Sequence, residues 1–244
     1  MHNCYVPSTH IHADTIHIGN PERHHLLNVL RLTSGDSIQV FDGKGNRYIA
    51  HLTNRDTPFA TALIQCHQFH PRETPHITLF QAIPKSDKMD WIVQKVTEIG
   101  VDVITPMISQ RSIPKRTQGA QRRQHNRWNR IAIEACKQSG RAWFSDVLET
   151  RELDECFKQV SDYDLSLLLW EDERHLTVKT ALRSHDSIES IALFTGPEGG
   201  FAPEEVELAI HKGCTASTFG RNILRTETSA IVAVALSVYE FQND

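Results

Sequence analysis

The sequence has 244 residues, of which 39% are hydrophobic and 23% charged, and its net charge is −4. These values are typical of a soluble globular protein with one large or two modest domains. The longest apolar run, residues 230–238, is too short to span a bilayer, and the N-terminus lacks a signal peptide's basic start and apolar core. The five cysteines are scattered, with no Cys-x-x-Cys pair, which indicates reduced thiols in a cytoplasmic protein.

Positive charge is concentrated in one segment, although the whole chain is acidic. Residues 111–130 contain seven lysines and arginines and no aspartate or glutamate. Such a run is a candidate phosphate-binding surface for RNA, or a solvated basic loop that enters a helix, and charge alone does not decide between them. The basic residues are Arg111, Lys115, Arg116, Arg122, Arg123, Arg127 and Arg130.

The first seventy residues have the pattern of a small β domain. Asp42-Gly43 lies between two strand-like runs, as expected for a hairpin. One helical pattern, over residues 21–32, interrupts the strands. The proline-flanked stretch at 71–75 is the predicted linker, so we expect a barrel-like domain over residues 1–72.

From residue 76 onward, strand-like and helix-like runs alternate, which is typical of a parallel sheet with helices on its faces. The last helix, from Thr226, is apolar on most sides, so we expect it in an oligomer interface or deep in the core. The pattern predicts an α/β domain over residues 76–244. The predicted strands are residues 77–83, 101–108, 165–170, 190–194 and 215–219; Pro203 opens one helix, and Gly100, Gly140 and Gly213 end helices.

Two glycine-rich turns follow the last two predicted strands. Residues 195–201 read Thr-Gly-Pro-Glu-Gly-Gly-Phe, and residues 219–229 begin Phe-Gly-Arg-Asn. Glycine permits close approaches that a β-carbon forbids, and ligands in parallel sheets bind off the carboxyl ends of strands, where these turns lie. Because the second turn carries Arg225 and Glu227, the sequence predicts a small-molecule pocket with charged groups at its edge.

Several familiar sites are absent from the sequence. It contains no Gly-x-x-x-x-Gly-Lys-Ser/Thr loop, no Gly-x-Gly-x-x-Gly after a strand and no His-Glu-x-x-His. The fourteen histidines lack the spacing of metal ligands, so no metal site is predicted. Ser229 and Cys214 have no base nearby in the sequence, which leaves nucleophilic catalysis unsupported.

Five sequence blocks occur in a fixed order along the chain. They are residues 24–31 together with 41–43, residues 84–100, residues 131–141, residues 196–201 (Gly-Pro-Glu-Gly-Gly-Phe) and residues 222–228 (Asn-Ile-Leu-Arg-Thr-Glu-Thr). Together they span nearly the whole chain and resemble the ribosomal RNA small subunit methyltransferase E family. The resemblance implies a PUA-like β-barrel domain at the N-terminus and a C-terminal domain of the SPOUT class. That class has a parallel sheet with helices on both faces, a deep trefoil knot and a homodimer formed through the knot.

The family methylates N3 of a uridine in the 16S rRNA of the small ribosomal subunit, with S-adenosylmethionine as the donor, and the resemblance implies the same for this chain. RNA would be bound by the basic segment and the N-terminal domain. By resemblance, the cofactor residues are Leu169, Trp170, Thr195, Gly196, Glu198, Gly199, Gly200, Phe219, Gly220, Ile223, Leu224 and Arg225. The expected RNA-binding residues are Arg111, Arg122, Arg123, Arg127 and Arg141.

Methylation at uracil N3 requires the loss of a weakly acidic proton, and negative charge then spreads onto the two flanking carbonyl oxygens. Arg225 suits the stabilisation of those oxygens, and Glu227 is a candidate proton acceptor or a group that orients Arg225. A structural role is the alternative for both, since Thr226 as N-cap and Glu227 in the first turn are good start signals for the last helix.

One position departs from the family pattern. The family commonly has arginine two residues after the glycine of the second turn, where this chain has Asn222, preceded by Arg221. Either Arg221 acts from the neighbouring position or the contact is dispensable. Two other functions remain open at this point: methylation of a different RNA, such as a tRNA, and a ribosome-assembly factor that binds RNA without turnover.

Overall fold

The computed structural model describes residues 2–55, 58–112 and 117–241. The chain forms two compact units: Met1–Arg72 with Cys136–Phe144, and Glu73–Ala135 with Ser145–Asp244. Residues 136–144 therefore belong to the N-terminal unit, although they are distant from it in sequence. Lys115 and Arg116 of the basic segment lie outside the described residues.

Six strands form the sheet of the first unit: β1 His2–Tyr5, β2 Ile11–His12, β3 Thr15–Ile18, β4 Ser37–Phe41, β5 Asn46–Asn54 and β6 Ala60–Phe69. They lie in the order β1-β4-β5-β6-β3-β2, and every pair is antiparallel except β1 with β4. Alternate residues of the strands, such as Ile38 and Val40, are buried in one core. The predicted N-terminal β domain is confirmed.

The turn between β4 and β5 is the predicted hairpin, and its glycines allow aromatic rings to approach. The Asp42 carboxylate accepts hydrogen bonds from two backbone amides of the turn, at 2.8 and 3.1 Å. Gly45 has a φ of +93°, and a β-carbon there would overlap the ring of Trp143. The indole of Trp143 donates to the carbonyl of His70 at 2.8 Å. These contacts join residues 136–144 to the sheet of the first unit.

The helical pattern over residues 21–32 forms a shorter helix than predicted. A brief α-helical segment, α1 Glu22–His24, continues as a π-helix over His25–Val29. Leu26 is fully buried in the core of the unit. Arg31 then adopts a φ of +57°, a left-handed conformation that a helix cannot continue through.

Seven strands form the sheet of the second unit: β7 His76–Ala82, β8 Val103–Ile108, β9 Asp146–Val147, β10 Arg151–Glu152, β11 Leu165–Leu169, β12 Ser190–Thr195 and β13 Thr215–Ser217. Their order is β10-β8-β7-β12-β11-β13, with β9 beside β8, and all pairs are parallel. The predicted parallel sheet is confirmed. The strand expected over residues 215–219 ends at Ser217, because Thr218 turns to pair with Thr177.

Helices cover both faces of this sheet: α2 Lys88–Ile99, α3 Gln118–Ser139, α4 Leu153–Phe157, α5 Val178–Arg183, α6 Pro203–His211 and α7 Thr226–Phe241. Successive strand residues point to opposite faces, so Leu193 is buried with α2, α5 and α7, whereas Phe194 is buried with α4 and α6. This two-sided arrangement confirms the predicted α/β class.

The ends of the helices follow the predicted glycine and proline signals, with one difference. α2 ends at Gly100, which has a φ of +141°, and Pro203 is the first residue of α6. The Glu205 carboxylate accepts a hydrogen bond from the backbone amide of Ala202, at 2.8 Å, and so caps α6. Asp87 occupies the N-cap position of α2, but in the described structure its side chain makes no capping hydrogen bond.

The described ranges contain neither a candidate membrane span nor a candidate metal site. No helix there is both long and apolar enough to cross a membrane. Nor do those residues contain a group of three or more histidine, cysteine, aspartate or glutamate side chains placed to hold a metal ion.

An ion pair with little solvent exposure lies in the first unit. Lys137 Nζ is 2.7 Å from Glu22 Oε1, and the two side chains are 14% and 9% exposed. Because Lys137→Met leaves Glu22 buried without its cation, we expect the free energy of unfolding to fall by about 3–5 kcal/mol. Urea denaturation measures the change.

The matched control is Lys95→Met, which removes the more exposed pair with Glu98. This substitution should cost less than about 1 kcal/mol. If both variants lose the same free energy of unfolding, burial of the Glu22–Lys137 pair does not make it the more important of the two.

Candidate active site

A cavity of about 330 Å³ opens at the carboxyl ends of β11, β12 and β13, beside the first turn of α7. The strands are parallel, so their carboxyl ends meet at one edge of the sheet, where ligands bind in folds of this class. Both glycine turns contribute to the wall. The lining residues are Lys88, Leu169, Trp170, Glu171, Thr195, Gly196, Pro197, Glu198, Gly200, Thr218, Phe219, Gly220, Asn222, Ile223, Leu224, Arg225, Thr226 and Ser229.

The first glycine turn is compact because its glycines bring backbone segments together. A β-carbon at Gly196 would lie 3.3 Å from the backbone of Gly200 and from the ring of Phe201. Gly200 has a φ of +67°, and its amide donates to the carbonyl of Pro197 at 3.0 Å. The turn therefore presents main-chain atoms to the cavity.

Three buried polar side chains at the strand ends each have an atom without a hydrogen-bond partner in the described structure. The atoms are Thr195 Oγ1, Ser217 Oγ and Gln81 Oε1. Thr195 pairs in register with Gln81 on one side and with Leu169 on the other, and Leu169 pairs with Ser217. Thr195 also lines the cavity and is only 2% exposed. Since buried polar groups normally have partners, this edge fits a ligand with polar groups.

A buried threonine fixes the start of α7 to the first glycine turn. Thr226 Oγ1 donates to the carbonyl of Gly196 at 2.6 Å and accepts a hydrogen bond from Gln81 Nε2 at 3.0 Å. The sequence pattern suggested that the Thr226 hydroxyl caps α7. In the structure the hydroxyl instead binds the first glycine turn. Arg225 directly precedes this anchored residue and lines the cavity.

Three charged side chains beside the cavity pair with one another. Lys88 Nζ lies 3.0 Å from Glu198 Oε1 and 3.3 Å from Glu227 Oε2. Burial opposes ionisation of Glu198, but the hydrogen bond from Lys88 and those from backbone amides lower the pKa of its carboxyl. The same bond to Glu198 raises the pKa of the Lys88 ammonium. The trio ties the start of α2 to the first glycine turn and to α7.

The two other charged side chains of the lining, Arg225 and Glu171, have no ion-pair partner in the part of the chain that the structure describes. Arg225 is exposed, and its guanidinium carries five hydrogen-bond donors in a fixed plane. It is therefore available to bind an anionic or carbonyl-bearing group at the cavity.

Most residues predicted to bind the cofactor lie around this cavity. Eleven of the twelve line it; the exception is Gly199, whose carbonyl accepts a hydrogen bond from Arg111 Nη1 at 2.7 Å. Of the two predicted catalytic residues, Arg225 lines the cavity, whereas Glu227 lies behind it against Lys88. Their roles stay predictions.

The second glycine turn settles the position of the residue that departs from the family pattern. Asn222 lines the cavity, whereas Arg221 is exposed and is not part of the lining. Whether Arg221 does the work of the family's arginine or that contact is dispensable stays a prediction.

The predicted RNA-binding arginines are distributed over three parts of the chain. Arg122, Arg123 and Arg127 are exposed on α3, and Arg127 forms an ion pair with Asp90. Arg111 is bound to the first glycine turn. Arg141 belongs to the first unit.

Several lining residues were not predicted from the sequence, namely Lys88, Glu171, Thr218, Asn222, Thr226 and Ser229. Glu171 could have been predicted, since it comes just after the carboxyl end of a fully buried strand, where ligands bind in parallel sheets. Lys88 lies in the family-like block over residues 84–100, but nothing local indicates that α2 begins beside α7.

Comparison with known proteins agrees with this architecture. The profile of the RNA methyltransferase domain matches residues 71–238, and that of the RNA methyltransferase PUA domain matches residues 18–65. The ribosomal RNA small subunit methyltransferase E of Bacillus subtilis is 28% identical over 233 residues, which cover 93% of this chain and 91% of the relative. The protein of the same name from Synechocystis is 31% identical over 223 residues, covering 91% of this chain and 72% of the relative.

A solved structure is similar over the whole length. The crystal structure of a ribosomal RNA small subunit methyltransferase E from Neisseria gonorrhoeae, bound to S-adenosyl methionine, shares 31% sequence identity with this chain. The two superpose with a TM-score of 0.87, over 99% of this chain and 98% of the other. The chain therefore belongs to the ribosomal RNA small subunit methyltransferase E family.

Proposed function

We propose that the chain transfers a methyl group from S-adenosylmethionine to N3 of a uridine in 16S rRNA, within the assembled small ribosomal subunit. The observation that carries the proposal is the unpaired guanidinium of Arg225 at a cavity built from two glycine turns. The cavity has the size of a small-molecule site, and relatives are named as methyltransferases of small-subunit ribosomal RNA. This substrate would place the protein in the cytoplasm.

The residues of the cavity fit S-adenosylmethionine. When bound, that cofactor supplies a methyl group activated by a positively charged sulfur. The glycine turns offer backbone amides and carbonyls to an adenine and a ribose, and the buried Thr195 hydroxyl lacks a protein partner in the described structure. Leu169 and Leu224 add apolar surface. The Neisseria gonorrhoeae relative was crystallised with the same cofactor.

Arg225 acts on the uracil ring in this proposal. As the N3 proton leaves, negative charge develops on the carbonyl oxygens at either side, and preorganised donors at those oxygens lower the barrier. A guanidinium presents several hydrogen-bond donors in one plane, which suits two carbonyl oxygens of one ring. The Thr226–Gly196 hydrogen bond fixes the backbone next to Arg225, so the side chain starts from a defined position at the cavity.

Glu227 is the acceptor that we propose for the N3 proton. It follows Arg225 by two residues but is not part of the lining, and its carboxylate pairs with Lys88 at 3.3 Å, so in this role it has to turn from Lys88 to the substrate. Proton transfer to a positioned side chain typically contributes a factor of about 10²–10⁴.

RNA binding is proposed for the arginines of α3 and for the first unit. Arg123, Arg127 and Arg130 follow one another at helical spacing on one side of α3, and Arg122 is exposed on the adjoining side. The first unit carries eight lysines and arginines against five aspartates and glutamates, although the whole chain is acidic. Contacts of this kind position RNA through its phosphates without reading its sequence.

We also propose the knot that is typical of this fold. After β13, the Thr218 amide donates to the carbonyl of Leu176, and the Val178 amide donates to the carbonyl of Thr218, both at 2.9 Å. The chain then returns to the middle of the sheet, where α7 packs on β7 and β12. A return that threads the loop over residues 170–178 would form the knot.

The decisive experiment measures methyl transfer from labelled S-adenosylmethionine to small ribosomal subunits, naked 16S rRNA and bulk tRNA. Label in the subunit alone is the expected result. Label only in tRNA would keep the reaction class and reject the substrate. Absence of label together with absence of cofactor binding would favour an RNA-binding assembly factor.

The first prediction that follows from the proposed function concerns Arg225→Ala. If the guanidinium acts on the transition state, turnover should fall by at least about 10²–10³-fold while affinity for S-adenosylhomocysteine stays within roughly tenfold. Single-turnover kinetics and calorimetry measure the two quantities. The matched control is Arg221→Ala, an exposed neighbour outside the lining, which should keep full turnover. Parallel losses of rate and binding would instead assign Arg225 to the cofactor site.

The second prediction concerns the arginines of α3. Replacing Arg122, Arg123 and Arg127 together by alanine should flatten the salt dependence of RNA binding, since each phosphate contact contributes about 0.7–0.9 to the slope. Because Arg127 already pairs with Asp90, the double variant of Arg122 and Arg123 should account for most of the change. Arg183→Ala on α5, which removes a pair with Glu240, is the control. An unchanged slope in the triple variant would exclude these residues from RNA binding.

The third prediction tests a homodimer. Val232, Ala235 and Tyr239 recur at helical spacing on α7, Tyr239 is 82% exposed, and Trp91 on the adjoining α2 is 52% exposed. We propose that a second copy covers this apolar surface, so Val232→Glu should convert a dimer to a monomer in sedimentation experiments. Ile210→Glu, at an exposed apolar residue of α6, should leave the dimer intact. A wild-type monomer would reject the proposal.

A further inference from the structure

Three consecutive acidic residues follow β11, and two of them are engaged by their neighbours. Asp172 pairs with Arg174 at 3.3 Å. Glu173 accepts hydrogen bonds from the amides of His175 and Leu176, at 2.6 and 3.2 Å, and these bonds lower the pKa of its carboxyl. The carboxylate of Glu171 has no partner of either kind among the described residues.

Glu171 lies in the cavity wall, against the first glycine turn. A β-carbon at Gly200 would overlap the Glu171 carboxylate where it now lies, so the side chain is in close contact with the turn; the φ of +67° at Gly200 by itself favours glycine. The backbone beside Glu171 is also fixed: the Trp170 amide donates to the carbonyl of Ser217, and the carbonyl of Glu171 accepts from Arg174 Nη1, both at 3.0 Å. The backbone at Glu171 is thus fixed at the cavity wall, and its carboxylate has no partner there among the described residues.

The other charges of the lining make Glu171 distinctive. Glu198, the second carboxylate there, is paired with Lys88 at 3.0 Å. Lys88 is shared further with Glu227. The lining therefore presents one anion, Glu171, that is still available to a ligand, together with the cation Arg225.

We propose that Glu171 binds the cofactor by accepting hydrogen bonds from its donor groups, the ribose hydroxyls or the α-ammonium of its methionine part. This inference rests on the proposed function, since it requires S-adenosylmethionine in this cavity. A carboxylate can only accept hydrogen bonds, so it selects those donor groups over the carboxylate of the ligand. Hydrogen bonds that involve a charged group are also the stronger class.

The test is calorimetric titration of the full chain with S-adenosylhomocysteine. Glu171→Ala should weaken binding by about ten- to a hundredfold, the range expected for a hydrogen bond to a charged group. The control is Asp172→Ala, which removes the neighbouring carboxylate that pairs with Arg174 outside the lining. Its affinity should stay within about twofold of wild type. Thermal unfolding of both variants confirms that each is folded at the titration temperature.

Two analogues of S-adenosylhomocysteine then identify the donor. If the ribose hydroxyls bind Glu171, the 2′,3′-dideoxy analogue should bind wild type and Glu171→Ala equally well. If the α-ammonium binds Glu171, the deamino analogue should instead bind wild type and Glu171→Ala equally well. Either pattern supports the proposal.

The outcomes separate this inference from the proposed function. Wild-type affinity in a folded Glu171→Ala variant would overturn the inference and leave the cofactor site in place. A wild-type chain that binds no S-adenosylhomocysteine would reject the proposed function itself.

Discussion

The hydrogen bond from the Thr226 hydroxyl to the carbonyl of Gly196 is the contact on which the site depends most. It is 2.6 Å long, fully buried, and joins residues thirty positions apart in the chain. Through it, the start of α7 and the first glycine turn form one wall, and Gln81 at the end of β7 supports the same hydroxyl. Arg225 precedes this anchor directly, so its backbone is fixed by contacts that do not involve its own side chain.

The charged side chains around the cavity fall into two groups: those that pair with Lys88 and those that do not. Lys88 lies between Glu198 and Glu227 and brings α2, the first glycine turn and α7 together. If they were unpaired, Glu198 and Glu227 would compete with a substrate for the Arg225 guanidinium. Because Lys88 occupies both carboxylates, Arg225 and Glu171 remain as the charged groups of the lining that a ligand can reach. In our proposals the anion, Glu171, accepts hydrogen bonds from the cofactor, and the cation, Arg225, donates hydrogen bonds to the nucleobase.

Local signals predicted much of the fold and the glycine turns of the site. The buried run of β11, the glycine that ends α2 and the proline that opens α6 act within a few residues, so the sequence pattern is sufficient there. Long-range contacts were not predictable in this way. Residues 136–144 belong to the first unit because glycines of a distant hairpin accommodate their aromatic rings. Lys88 likewise reaches the site only because α2 packs beside α7.

The position of the methyl group on the product nucleoside tests the central claim most directly. Small ribosomal subunits treated with the protein and S-adenosylmethionine would be digested to nucleosides and analysed by chromatography and mass spectrometry against standards. If Arg225 stabilises a uracil ring that has lost its N3 proton, the product is 3-methyluridine. Methyl groups found only at C5 of uracil or at a ribose 2′-hydroxyl would contradict this account, because neither reaction produces charge at the two carbonyl oxygens by loss of the N3 proton.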